Sequence, residues 1–132
     1  MRFTTRVAIG ATISAGVLFG TGHLASATSI DEAKAAIQNL NNELDHAARM
    51  NTPASMRNAC GDVADAGYDL LTLARPKAMP RVVWAHTRKA ARYTVLSAEA
   101  CVDGDFDTAS EYSDQATDEW DASVAALKKY TG

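Results

Sequence analysis

Residues 60–101 read CGDVADAGYDLLTLARPKAMPRVVWAHTRKAARYTVLSAEAC, and the folding of this stretch decides the architecture. It opens and closes on the chain's two cysteines and carries Pro76 and Pro80 around the segment Arg75-Pro76-Lys77-Ala78-Met79-Pro80. Two prolines four residues apart stop one helix and start the next. On the N-terminal side, Met56, Cys60, Val63, Gly67, Leu70 and Ala74 fall on one helical stripe. On the C-terminal side, Trp84, Ala91, Val95, Ala98 and Val102 form another, with Ala90, Thr94 and Cys101 beside it. The stretch is predicted to be an antiparallel helical hairpin whose far ends are joined by Cys60 and Cys101.

The register of that hairpin is its weakest joint. With the first helix ending near Ala74, Cys60 lies roughly 21 Å from the turn; with the second running from about Arg81 to Val102, Cys101 lies roughly 30 Å from it. A disulfide spans only about 4.4–6.8 Å between Cα atoms. Either the second helix starts late, near Trp84, or its first turn overhangs the first helix. A bridge closing this loop stabilises by roughly 4 kcal/mol through chain entropy, against a typical domain stability of about 5–15 kcal/mol.

Working outward, Thr52-Pro53 opens the first hairpin helix, since proline fits a first turn whose N–H has no partner. Before it, Ser29 and Glu32 have capping-box spacing. Ile30, Ala33, Ile37, Leu40, Leu44 and Ala47 then recur at intervals of three and four, predicting a helix that ends near Met50 or Asn51. After the hairpin, Gly104 closes a helix and Asp105 caps the next, with Asp107 at its positive end. Phe106, Ala109, Ser113, Ala116, Trp120, Val124 and Leu127 give that helix its stripe, and Lys128 and Lys129 suit its negative end. No strand-like alternation is present. The predicted fold is all-α: a four-helix bundle, or two antiparallel helical hairpins, with one disulfide.

Residues 1–27 read as a signal peptide. Arg2 and Arg6 precede the uncharged run Val7–Phe19, and Ala25 and Ala27 stand where a signal peptidase reads small residues. The alternative is an uncleaved anchor helix, against which the run is short for a bilayer span; after cleavage no transmembrane segment is expected. The mature domain is then 28–132, with 11 basic against 16 acidic residues. That acidic balance argues against nucleic acid as a partner. Two cysteines in an exported chain most simply make one disulfide, and the expected localisation is secreted or extracytoplasmic.

Charge is segregated. Arg75, Lys77, Arg81, Arg88, Lys89 and Arg92 lie in a stretch without acids, while Glu99 to Asp121 holds nine acidic residues and no basic one. One reading is mutual neutralisation, with Arg88 and Arg92 approaching Glu111, Asp114 or Asp118. The sharper one is a basic end that meets an anionic partner, cell-wall polymer or lipid headgroups.

Catalytic signals are missing. There is no GxSxG, no phosphate loop, no Cys-His pair and no HExxH, so the chain reads as a non-enzyme without cofactor or metal. Asp103, Asp105, Asp107 and Asp114 have the spacing of a calcium loop, yet Thr108 stands where the turn glycine belongs. Capping aspartates explain the same residues. Trp84, His86 and Trp120 are the candidate pocket for the alternative reading, a carrier of a small apolar ligand or haem between helices.

Two resemblances follow from particular residues. Gly104-Asp105-Phe106 with Ala109, Tyr112 and Ala116, preceded by Tyr93, Leu96 and Ser97, resembles the helical hairpin of a tetratricopeptide repeat. Cys60, Pro76, Pro80, Trp84, Ala90, Ala91, Ala98 and Cys101 together resemble a group of small exported proteins of actinobacteria. That likeness implies a helical fold and the disulfide, and brings no activity with it. The reading is an exported interaction or structural module at the cell envelope or outside the cell, whose partner is anionic envelope material or another protein.

Overall fold

The structure, a computed structural model, describes residues 28–131; the predicted signal peptide lies outside the described residues. Four helices are present there and no strand: α1 Ile30–Ala48, α2 Pro53–Leu71, α3 Arg81–Val102 and α4 Phe106–Thr131. Each packs chiefly on its chain neighbour, α1 on α2, α2 on α3 and α3 on α4, around one continuous core.

The helix starts follow the local chemistry. The Glu32 N–H donates to Ser29 Oγ at 3.0 Å and the Ser29 N–H to Glu32 Oε1 at 3.1 Å, a closed capping box. Thr52 Oγ1 accepts from the Ser55 N–H at 3.2 Å while Pro53 fills the first turn of α2. The α3–α4 joint takes three residues. Gly104, at φ 83°, lets the Asp105 N–H reach the Ala100 carbonyl and the Gly104 N–H reach that of Cys101, both at 2.9 Å. Asp105 then caps α4, accepting from the Thr108 N–H at 3.2 Å and its hydroxyl at 2.7 Å. These bonds hold the Asp105 carboxyl below the ordinary carboxylate range. Capping, rather than a calcium loop, is the role Asp105 fills.

α2 stops earlier than its stripe suggests. It ends at Leu71, and Ala74 is exposed in the connection. Thr72 donates its hydroxyl to the Asp69 carbonyl at 2.7 Å, turning the chain out. The connection then folds back as a plug: Pro76 and Met79 are buried, Arg75 Nη1 donates to the Met79 carbonyl at 2.7 Å, and Thr28 Oγ1 accepts from the Ala74 N–H at 3.1 Å.

This resolves the register. α3 starts at Arg81, not near Trp84, and its first two turns run past the end of α2, covered by the plug. Gly67 lies against Val95, and Arg88 against Leu71. The same alignment puts Cys60 and Cys101 at a Cα–Cα distance of 6.1 Å, in a formed disulfide. Two arginines lock it: Arg88 Nη1 donates to the Leu71 carbonyl at 3.0 Å, and Arg57 Nε to the Val102 carbonyl at 2.8 Å. Each antiparallel helix thus has its negative C-terminal end capped by a cation from the other.

α3 is buried on two sides, which a single stripe did not anticipate. Ala91 and Val95 meet α2 at Gly67, while Thr87 bonds Ser123 Oγ at 2.9 Å and Ser97 donates to the Ala109 carbonyl at 2.6 Å on α4. Val102, counted in the stripe, is 37% exposed. The alanines and hydroxyls of this interface are small, so the two backbones come close.

Candidate anion-binding groove

The first half of α3 and the plug border an open groove of about 620 Å³. Arg81, Ala85, Arg88, Lys89 and Arg92 recur at one-turn spacing and so lie along one face of α3. Arg75 reaches in from the plug, and Trp84 and Tyr93 complete the lining. Five of the six basic residues named from the sequence therefore share one concavity. Lys77 is not among the lining; it is exposed, and its carbonyl accepts from Arg75 Nη1 at 3.4 Å.

No carboxylate neutralises these cations. Among the described residues, none of Arg75, Arg81, Arg88, Lys89 and Arg92 forms an ion pair. The approach of Arg88 and Arg92 to acids of α4 does not occur. Arg88 instead turns to the α2 carbonyls, and Arg75 to those of the plug. Both use Nη1 alone, which orients the guanidinium and leaves the Nε and Nη2 donors unclaimed. Arg81, Lys89 and Arg92 are exposed and bond to no group of the protein.

The charge also opposes the helix's own field. The N-terminal end of a helix favours anions and its C-terminal end cations. α3 does the reverse: it starts on Arg81, carries its other cations no farther than its middle at Arg92, has no acid in its first turn and ends beside Glu99 and Asp103. No side chain caps that N-terminus, where Pro80 is the cap residue. Arg88 is offset by its bonds to the α2 carbonyls, whereas Arg81 stands at the start of α3 with no partner in the protein.

Two aromatic side chains shape the groove. Trp84 is 5% exposed. The Tyr93 ring stacks on Tyr112 of α4 with centroids 6.2 Å apart and planes at 24°. Tyr93 stands four positions after Lys89, on the same face of α3.

Of the pocket candidates Trp84, His86 and Trp120, the two tryptophans belong to one buried core cluster, and only Trp84 lines the groove. Trp84 borders the groove, while Trp120 is fully buried in the core, its indole N–H without a protein partner. His86 Nδ1 lies 2.7 Å from Glu119 Oε1 across the α3–α4 interface. A second groove of about 330 Å³, lined by Met50, Asn51, Thr52, Pro53, Met56 and Phe106, involves none of the three. Elsewhere, Tyr68 donates its hydroxyl to Glu99 Oε2 at 2.6 Å, and that bond, aided by burial and the carboxylate charge, raises the phenol above its usual value.

The groove can bind and orient anions. Its guanidinium groups suit bidentate contacts to phosphate or carboxylate. Among the described residues no group of three His, Cys, Asp or Glu side chains is placed to hold a metal, and no helix is long and apolar enough to cross a membrane. No protein-family model, no curated protein and no solved structure matches this chain.

Proposed function

We propose that this chain is an exported, non-catalytic helical protein that binds anionic material of the cell envelope through the groove along α3. One observation carries the reading: five cations, Arg75 from the plug and Arg81, Arg88, Lys89 and Arg92 from α3, share a single concavity with no carboxylate partner. Export is supported by the signal-peptide pattern over residues 1–27, and the Cys60–Cys101 disulfide is compatible with it.

The test uses isolated envelope fractions. Wild-type protein sediments with them at low salt and is released as salt rises. The triple variant Arg81→Glu/Lys89→Glu/Arg92→Glu, whose three side chains have no internal partner, stays in the supernatant while keeping its helical spectrum. Equal sedimentation of the two proteins removes the proposal. Export is read from the intact mass of protein recovered from culture supernatant. A chain starting at Thr28 and two protons lighter than its reduced form is the expected result.

A further inference from the structure

We infer that the groove takes a linear polyanion lying along α3, engaging at least three charges, rather than a single anion or a planar lipid surface. The inference rests on the anion-binding reading of the groove and goes further by naming the ligand class. Its first ground is length. Arg81 and Arg92 are eleven residues apart on one helix, about 16 Å at 1.5 Å per residue. Cations spread over that distance do not converge on one phosphate. Along the axis the unpartnered Arg81, Lys89 and Arg92 are separated by eight and three residues, about 12 and 4.5 Å, so engaging all three takes a ligand that carries charge at more than one point along its length.

The second ground is the supply of donors. Arg81, Lys89 and Arg92 bond to nothing in the protein, and Arg88 keeps its Nε and Nη2 free between them. Donors are therefore available at both ends and in the middle of the row. Trp84 and the stacked Tyr93 provide a fixed wall beside it.

The third ground separates a chain from a membrane. A planar anionic surface broad enough to touch the whole row also approaches α4, whose axis lies about 8–10 Å from that of α3. α4 exposes Asp107, Glu111, Asp114, Asp118 and Asp121. A single chain seated in the groove stays on the α3 side. Membrane docking also uses aromatic side chains at the headgroup level, and the groove's Trp84 is almost entirely enclosed.

The probes are glycerol-phosphate oligomers of increasing length and vesicles containing phosphatidylglycerol, which present the same headgroup chemistry as a chain and as a plane. Binding is measured by titration calorimetry on the oxidised mature protein. Affinity is expected to rise at least about tenfold from the monomer to the trimer and to level off once the oligomer outreaches the row. For the trimer and longer, log affinity falls against log salt with a slope of about −2, from about −0.7 for each of three free cations. The triple variant Arg81→Gln/Lys89→Gln/Arg92→Gln loses the length dependence and flattens the slope. If that variant unfolds, the wild-type length series alone decides. Glycerol phosphate binding as tightly as the longest oligomer overturns the linear-chain inference, and so does binding to vesicles but not oligomers. In both cases the anion-binding reading stands. Absence of binding to oligomers, vesicles and envelope fractions removes both.

Discussion

Removing the disulfide is the sharpest test of what holds this fold together. Cys60 and Cys101 are 41 positions apart and fully buried. The double variant Cys60→Ala/Cys101→Ala leaves no free thiol and no buried polar group. For a loop of this length the chain-entropy relation gives about 4 kcal/mol. About 2.1 cal/mol/K of unfolding entropy per residue over the 104 described residues gives about 0.22 kcal/mol/K. The expected fall in Tm is then about 18 °C, followed by helical circular dichroism. The reduced wild type should behave alike. Because the staple restrains the denatured chain, the urea m-value should rise in the variant. The groove should be unaffected well below the new Tm, because Arg92 and Arg81 lie nine and twenty residues from Cys101, about 14 and 30 Å along α3. A Tm drop under about 5 °C with an unchanged m-value would refute the reasoning. The register would then be held by the packing and arginine caps alone. Loss of groove binding in the folded variant would refute the separation of staple and site.

Other outcomes follow from single contacts. A Cβ at Gly67 meets Val95 Cγ2 at 2.5 Å, whereas one at Gly61 meets nothing within 4 Å. Gly67→Ala should therefore destabilise by about 1 kcal/mol, overpacking against a stiff β-branched side chain outweighing the helix-propensity gain. Gly61→Ala in the same helix should stabilise by about 0.4–1 kcal/mol, and urea midpoints moving in opposite directions check the pair. Arg88→Met should cost about 1–2 kcal/mol through the lost bonds to the Leu71 and Leu73 carbonyls, while Lys89→Gln stays within about 0.5 kcal/mol. Asp105 has a lowered pKa, so its contribution is present above its ordinary value of 3.8 and lost as pH falls through the lower folded value. The stability gap between wild type and Asp105→Ala, measured by urea titration, should be full at neutral pH and close towards pH 3.

Local chemistry in the chain specified most of the helix boundaries and only part of the site. Ser29 with Glu32, Thr52 with Pro53 and Gly104 with Asp105 act on groups within a few residues, so their effect is legible from neighbours alone. The cysteine pair was legible for a related reason: two half-cystines in one chain leave one intramolecular pairing. The C-terminal end of α2 was misplaced by three residues. The stripe continues through Ala74, while the actual stop depends on Thr72 and on an Arg88 seventeen positions away.

The sequence by itself determined an all-α chain, its caps, its charge segregation and its cysteine bridge. The tertiary structure alone decided the overhang of α3 beyond α2, the plug that covers it and the meeting of Arg75 with Arg81, Arg88, Lys89 and Arg92 in one groove. The reason is that a helical stripe repeats every turn, so sliding α3 by one turn leaves its pattern equally good. Only contacts between distant residues, Cys60 with Cys101, Gly67 with Val95 and Arg88 with the Leu71 carbonyl, distinguish one register from the next.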